Sequence, residues 1–559
     1  MSSSDKFQLA MRRNPHLKAY IDTLLKSGFS TPTFYDQLSD DLKKQKIVNV
    51  IYPIGDPLFV HVYTPTKSTG YKKYVVVEPI KPSNEALAAV EKVFAKVISD
   101  YEIPQSPEEK AALVEKVLDK IIEPSTQPIN YSKLKIKPST KKVPVYTPEI
   151  PAVKYYMIRD KVQTGILEPF LRDPYLEDIT CAGVGSMYVV HKVFGPVETN
   201  IKFESEEELD SFVLKLSEMI GKPVSHARPV VDASLPDGSR INIVFGKDVS
   251  KRGSNFTIRK FSKVPVSITQ LIKWGTLDAR IAAYLWILLN EGVSLFVCGE
   301  TASGKTTTLN AICAFIKPTA KIVSIEDTPE VTMPHENWVP EITRETGSEG
   351  SSVTMFDLLK AALRQRPNYI IVGEIRGREG NIAFQAMQTG HPVLSTFHAA
   401  SVERLIQRIT SYPIEVPKTH IDNLNVVLIQ SAVYDASGML KRRVLSVNEI
   451  MGYDLVANTT IYLPIFTWDS VTDKFLFRGM GSSYLLEEKV AVRRGIPKRE
   501  LKRIYDELDK RARFLELLVK NKVFNYYDVW NHIVETYFSG LDEVMAKLER
   551  GVLVAAKQA

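Results

Sequence analysis

Cysteine is scarce in this chain: Cys181, Cys298 and Cys313 stand alone among 559 residues. They are too few and too far apart for a disulfide scaffold or a four-cysteine zinc site, and they suit a reducing cytoplasm. Long apolar runs are missing as well. The most apolar stretch, Ile281 to Leu289, is interrupted by Asn290, Glu291 and Gly292. That is far short of the ~20 residues a membrane-crossing helix needs. No apolar segment follows the basic residues of MSSSDKFQLAMRRNP, so a secretory signal is not expected. Neither sign of charge dominates: Lys+Arg is 72, Asp+Glu is 65 and the formal net charge is +7. That balance permits contact with an anionic membrane face or nucleic acid and requires neither. What is present is ordinary for a globular chain, with 44% hydrophobic and 25% charged residues. This excludes a largely disordered protein. The length allows about three to five domains.

Patterning divides the chain. Residues 1–123 hold a short basic helix, small strands and a helix pair. Asn14 and Pro15 suit a helix start and Gly28 its end. Leu17, Tyr20, Ile21, Leu24 and Leu25 then share one face. That helix either packs on its own domain or docks on a membrane or partner. Val48–Tyr52, Leu58–Tyr63 and Lys73–Val77 read as strands. Helices are expected from Ser83 and from Ser106-Pro-Glu-Glu109, the latter a capping-box pattern. Residues 124–152 carry six prolines and five lysines and read as an extended linker. Residues 153–264 mix helix and strand signals, with a helix over Glu206–Ile220 and strands at Met187–His191 and Ile241–Phe245. Residues 265–466 hold the chemistry, and 467–559 turn helical, with Lys498–Val519 the longest pattern.

Gly299, Glu300, Thr301, Ala302, Ser303, Gly304, Lys305 and Thr306, followed by Thr307, fit G-x-x-x-x-G-K-[ST]. An apolar run, Val293–Cys298, precedes the motif and a helix-like run follows it. In that context glycines let backbone N–H groups wrap phosphates, and the helix amino end adds a favourable dipole. Lys305 can reach the β- and γ-phosphates of ATP, and the Thr306 hydroxyl can meet Mg2+. Hydrolysis also needs groups that hold the metal and polarise water. Glu326 ends the strand-like Lys321–Glu326, and Glu374 ends Tyr369–Glu374. A carboxylate at such a strand end can take a proton from water or face Mg2+. His398 ends a third strand pattern and is a candidate γ-phosphate sensor. Arg240 and Arg259, from the preceding segment, are candidates for an arginine finger.

GETASGKTTTLNA, IEDTPE, NYIIVGEIRG and QTGHPVLSTFHA resemble, in that order, the four signature segments of the type II/type IV secretion ATPase superfamily. LEDITCAGVGSMYVVHKVFGP, RPVVDASLPDGSRIN and RGSNFTIRKFSKVP look like the domain that precedes its core. IYPIGDPLFVHVY and the GSSYLLEEKVAVRRGIPKREL region resemble the archaeal branch, the archaellum motor and assembly ATPases. The resemblance implies an α/β fold: a P-loop (RecA-like) ATPase core, a preceding α+β domain and mostly helical N- and C-terminal extensions. It implies ATP and Mg2+ as cofactors, with Thr306 and Glu374 at the metal. Glu326 then matches the catalytic glutamate, Glu374 the Walker B acid and His398 the second His-box histidine. Arg240 and Arg259 match arginines that reach the phosphates. The zinc-binding cysteine cluster of many bacterial secretion members is missing here. The implied partners are a homo-hexamer, a polytopic membrane platform protein and other filament-assembly proteins, with possible anionic lipid contact. The implied place is cytoplasmic, at the inner face of the cell membrane. Three other readings remain at this stage: a pilus or secretion ATPase, a nucleic-acid translocase and a nucleotide-gated scaffold. No aromatic-basic pattern favours nucleic acid, so none is expected as a partner.

Overall fold

The computed structural model of the chain describes residues 3–65, 70–102, 104, 106–134, 136–137, 140–261, 264–344, 352–435, 438, 440–454 and 456–553. The chain divides into two compact units, Met1–Ser262 and Lys263–Ala559.

In the first unit the strands are β1 (Thr33–Phe34), β2 (Asn49–Pro53), β3 (Phe59–Tyr63), β4 (Lys72–Val77), β5 (Ile122–Ser125), β6 (Val143–Tyr146), β7 (Leu176–Cys181), β8 (Gly185–His191), β9 (Gly195–Phe203), β10 (Val230–Ser234), β11 (Arg240–Val244) and β12 (Asn255–Arg259). Among the described residues, ten of them form one mixed sheet in the order β1-β2-β3-β4-β9-β8-β7-β12-β11-β10. The segments 1–123 and 153–264, read from sequence as separate, therefore share a sheet. The join is the parallel pairing of Lys72–Tyr74 with Val197–Thr199. One apolar core runs beneath it, from Val50 and Val60 through Val189 to Ile258. A fully buried polar cluster crosses the same join. Tyr52 and Tyr74 each donate to Asp173 Oδ2 at 2.7 Å, and the Tyr52 hydroxyl lies 3.0 Å from His191 Nε2.

The expected helices are present. Pro15–Lys26 follows Asn14, whose amide turns to Asp56 rather than capping the helix. Leu17 and Ile21 pack on Phe34, Ile51, Phe59 and Val77 with Tyr20 and Leu24 beside them, so this face covers its own sheet, whereas Leu25, expected on the same face, is exposed. Asn84–Ile98 and Pro107–Ile121 start at Ser83 and Ser106, whose hydroxyls accept from Ala86 N and Glu109 N. The 124–152 stretch runs extended only in part. β6 pairs in parallel with β5, and Val143 and Val145 are fully buried against the helix pair.

In the second unit the strands are β13 (Leu295–Gly299), β14 (Ile322–Glu326), β15 (Trp338–Ile342), β16 (Tyr369–Glu374), β17 (Val393–Phe397), β18 (Val426–Tyr434), β19 (Leu440–Asp454), β20 (Thr459–Asp469) and β21 (Lys474–Phe477). Among the described residues they form one sheet, β15-β14-β16-β17-β13-β18-β19-β20-β21. Pairings from β15 to β18 are parallel and those from β18 to β21 antiparallel. The parallel strands are near-continuous apolar runs because both of their faces are covered. Leu295, Val297, Ile371, Leu394 and Leu428 face one apolar layer. Phe296, Cys298, Ile370, Val393 and Val427 face the other. The first layer includes the buried helix Ala279–Asn290 and the C-terminal helices Lys502–Lys520, Tyr526–Ser539 and Leu541–Glu549. The C-terminal part is thus helical as expected, though strand continues to Asp469 and resumes at Lys474–Phe477.

Candidate functional site

The parallel direction of β13, β14, β16 and β17 brings their C-terminal ends to one edge, where sheets of this kind hold ligands. Gly299 ends β13, and the helix Lys305–Cys313 begins directly after Gly304. Gly304 has φ +92, a left-handed conformation that favours glycine. Gly299 is enclosed: a β-carbon there would lie 2.1 Å from Gln430 O and 2.6 Å from Ser303 Oγ. Ala302 also adopts a left-handed φ of 62. Lys305 is half-buried and its Nζ donates to Glu300 O at 2.9 Å. Burial lowers its pKa, and the nearby Glu374 carboxylate opposes that shift. Ser303 Oγ donates to Glu300 O at 2.8 Å. Thr306 and Thr307 are half-buried in the first turn of the helix.

Glu326 is buried at the end of β14. Its Oε1 accepts from Glu330 N at 2.9 Å and Val331 N at 3.0 Å, so the chain that leaves the strand orients the carboxylate. Glu374 ends β16 after a register irregularity and accepts from Arg376 Nε at 3.0 Å. Thr396 Oγ1 donates to Gly373 O at 2.7 Å, tying β17 to the same bulged end. His398 follows β17. Its Nε2 lies 3.0 Å from Thr301 Oγ1, and the Arg408 guanidinium donates to its carbonyl. Burial and the Lys305 charge lower the His398 pKa.

The loop, Glu326, Glu374 and His398 thus gather at one edge of one sheet. Arg240 and Arg259 belong to the first unit, where they sit directly opposite each other across β11 and β12. Arg259 is exposed and Arg240 half-buried. Two residues went unnoticed in the sequence. Gln430 Nε2 donates to Ser303 O and its Oε1 accepts from Thr308 Oγ1, both at 2.8 Å. Arg442 Nε donates to Ala302 O at 3.0 Å. A lone glutamine inside the apolar run VVLIQS was the available signal for the first. Arg442 lies in a run of three basic residues, which gave none.

Among the described residues, no group of three or more His, Cys, Asp or Glu could hold a metal ion by itself. None of their helices is long and apolar enough to cross a membrane.

Residues 160–457 match the family Type II/IV secretion system protein. The chain is 47% identical over 547 residues to "Uncharacterized protein MJ0900" of Methanocaldococcus jannaschii, covering 97% of this chain and 98% of that protein. It is 32% identical over 229 residues to the Type IV secretion system protein PtlH of Bordetella pertussis, covering 36% of this chain and 67% of that one. Among solved structures, the VirB11 ATPase from the Brucella suis type IV secretion system in complex with sulphate is similar at 23% identity. That likeness covers 50% of this chain and 91% of the other, with a TM-score of 0.26.

Proposed function

The chain belongs to the type II/IV secretion system protein family, and from that premise we propose an ATPase that works as a Mg2+-dependent hexameric motor. Working at the cytoplasmic face of the cell membrane, it drives assembly of an archaellum-type filament, with rotation as a second output of the same domain motions.

One observation carries the ATPase site: a phosphate-binding loop, two carboxylates and a histidine share one edge of the parallel sheet. The loop fits a phosphate chain. Its glycines leave no room for side chains at 299 and little at 304, and the helix amino end offers N–H groups. The loop residues 299–307 bind the nucleotide, with Lys305 reaching its outer phosphates. The hard oxygen donors Thr306 and Glu374 fit Mg2+, which usually takes one or two carboxylates and fills its shell with water and phosphate. When bound, Mg2+ neutralises phosphate charge. Glu326 accepts a proton from the attacking water. His398, joined to Thr301, responds to the occupied loop. Arg240 and Arg259 steady charge that builds on the phosphoryl group.

The filament reading draws on the resemblance of the segments outside the core. On it, nucleotide draws the two domains of a subunit together, release lets them part, and a polytopic membrane protein receives the motion. A second reading, an assembly ATPase of an archaeal adhesive pilus or of a secretion system, draws on the identity to the Bordetella secretion protein.

Phosphate release from Mg-ATP, with and without anionic lipid vesicles or DNA, tests the proposal when paired with the mass in solution. Turnover raised by lipid in a hexamer supports it. Turnover raised by DNA alone, or no turnover by a monomer in any condition, contradicts it.

A further inference from the structure

We propose that Gln430 and Arg442 are positioning residues that hold the phosphate-binding loop in its receiving shape before nucleotide arrives. The inference rests on the reading of residues 299–307 as the nucleotide site.

A loop that turns its N–H groups inward turns carbonyls outward, and those carbonyls need partners. Here side chains supply partners to three of them, and the Ser303 N–H adds a bond to Glu300 O at 3.4 Å. Glu300 O accepts from Ser303 Oγ and Lys305 Nζ. Ala302 O accepts from Arg442 Nε, and Ser303 O accepts from Gln430 Nε2. The last two donors come from one antiparallel pair, β18 and β19, which lies beside β13.

The Gln430 amide can face only one way. It is 1% exposed, with the Thr308 hydroxyl at its oxygen and the Ser303 carbonyl at its nitrogen. One side chain therefore joins the loop to the first turn of the helix behind it. Its main chain fits as closely, since Gly299 and Gln430 are register partners and Gln430 O fills the space a β-carbon at 299 would take. Arg442 acts on the strained point. Ala302 holds a left-handed φ that alanine disfavours, and such a conformation persists only where its surroundings impose it. The Arg442 bond to Ala302 O does so, while the Arg442 stem lies against Gly304. Neither residue is assigned contact with phosphate. Each acts through the loop.

The chemistry at 430 is specific to an amide. Methionine keeps the volume and loses both bonds. Glutamate keeps one acceptor but sets oxygen against the Ser303 carbonyl until a proton restores a donor.

The test compares the full-length protein with Gln430→Met and Gln430→Glu. Readouts are binding of a fluorescent ADP analogue and steady-state Mg-ATP hydrolysis. Gln430→Met should raise Kd and KM roughly tenfold with kcat within about twofold, because a misshapen loop weakens ground and transition states alike. Gln430→Glu should bind weakly near pH 8 and recover toward the wild type near pH 6, the range in which a buried carboxyl takes up a proton. Wild-type binding in both variants overturns the inference. So does a lower kcat at unchanged KM, the mark of a smaller folded fraction, or a Gln430→Glu defect that ignores pH. Failure of the wild type itself to bind the analogue would instead sink the nucleotide-site reading beneath it.

Discussion

Gly373 makes room for Glu326. A β-carbon at 373 would lie 3.0 Å from Glu326 Cγ and 3.3 Å from its Oε1. Glu326 ends β14, and Gly373 stands next to the end of the neighbouring β16. The Glu326 side chain therefore leans across the adjacent strand, one residue before Glu374. Missing side-chain volume at 373 leaves the Glu326 stem room beside the end of β16.

Gly373→Ala should therefore touch chemistry more than binding. Gly373 does not have a left-handed φ, so the backbone tolerates alanine. The crowding falls on the Glu326 stem, which must shift by a few tenths of an ångström. We expect kcat to fall roughly tenfold, about 1.4 kcal/mol in the barrier, with the Kd for nucleotide unchanged. Parallel measurements of turnover and equilibrium binding check this. A matched loss of affinity would place the effect in the loop instead.

Acid should weaken the second unit through His335. This ring is buried beside Trp530 and its Nε2 bonds to Ile316 O at 3.1 Å. Burial lowers its pKa from 6.5 to about 4. Between those values the unfolded chain takes up a proton that the folded chain refuses. Stability is therefore full above about pH 6.5 and falls as pH drops toward 4, by up to about 3 kcal/mol. Thermal midpoints across that range should decline, and His335→Phe should flatten part of the slope. An unchanged slope would mean that His335 does not carry it.

Arg240 and Arg259 are paired by register in the first unit, so their roles can be tested together. If they serve the phosphoryl group, Arg259→Ala should lower kcat by about 100-fold or more. Its thermal midpoint should hold, because Arg259 is exposed. Turnover at the wild-type level in both single variants would remove these arginines from the site.

The grouping of the candidate residues was legible because its signals are local. Gly299 to Thr306 is one contiguous motif. Glu326, Glu374 and His398 each follow a short apolar run, and parallel strands carry such ends to one edge. Helix starts at Ser83 and Ser106 were legible for the same reason, since a hydroxyl cap acts within three residues. Long-range pairing left no such trace. The join of β4 to β9 links residues about 125 positions apart and merges two segments that composition had separated. The helix Ser3–Arg13 buries Phe7 with Ala10 and Met11 beside it, an i, i+3, i+4 face of only one turn that a polar segment hides. Gln430 reads as an interruption in a buried strand until the loop it braces is seen beside it.

The most direct test of the account pairs Lys305→Ala with Glu326→Gln, following equilibrium binding of a fluorescent ATP analogue and phosphate release in the same samples. Lys305→Ala should lose nucleotide binding. Glu326→Gln should bind as the wild type does and lose about 100- to 10,000-fold in turnover, the range for removal of a general base. Retained hydrolysis in both variants would contradict the assignment of this site.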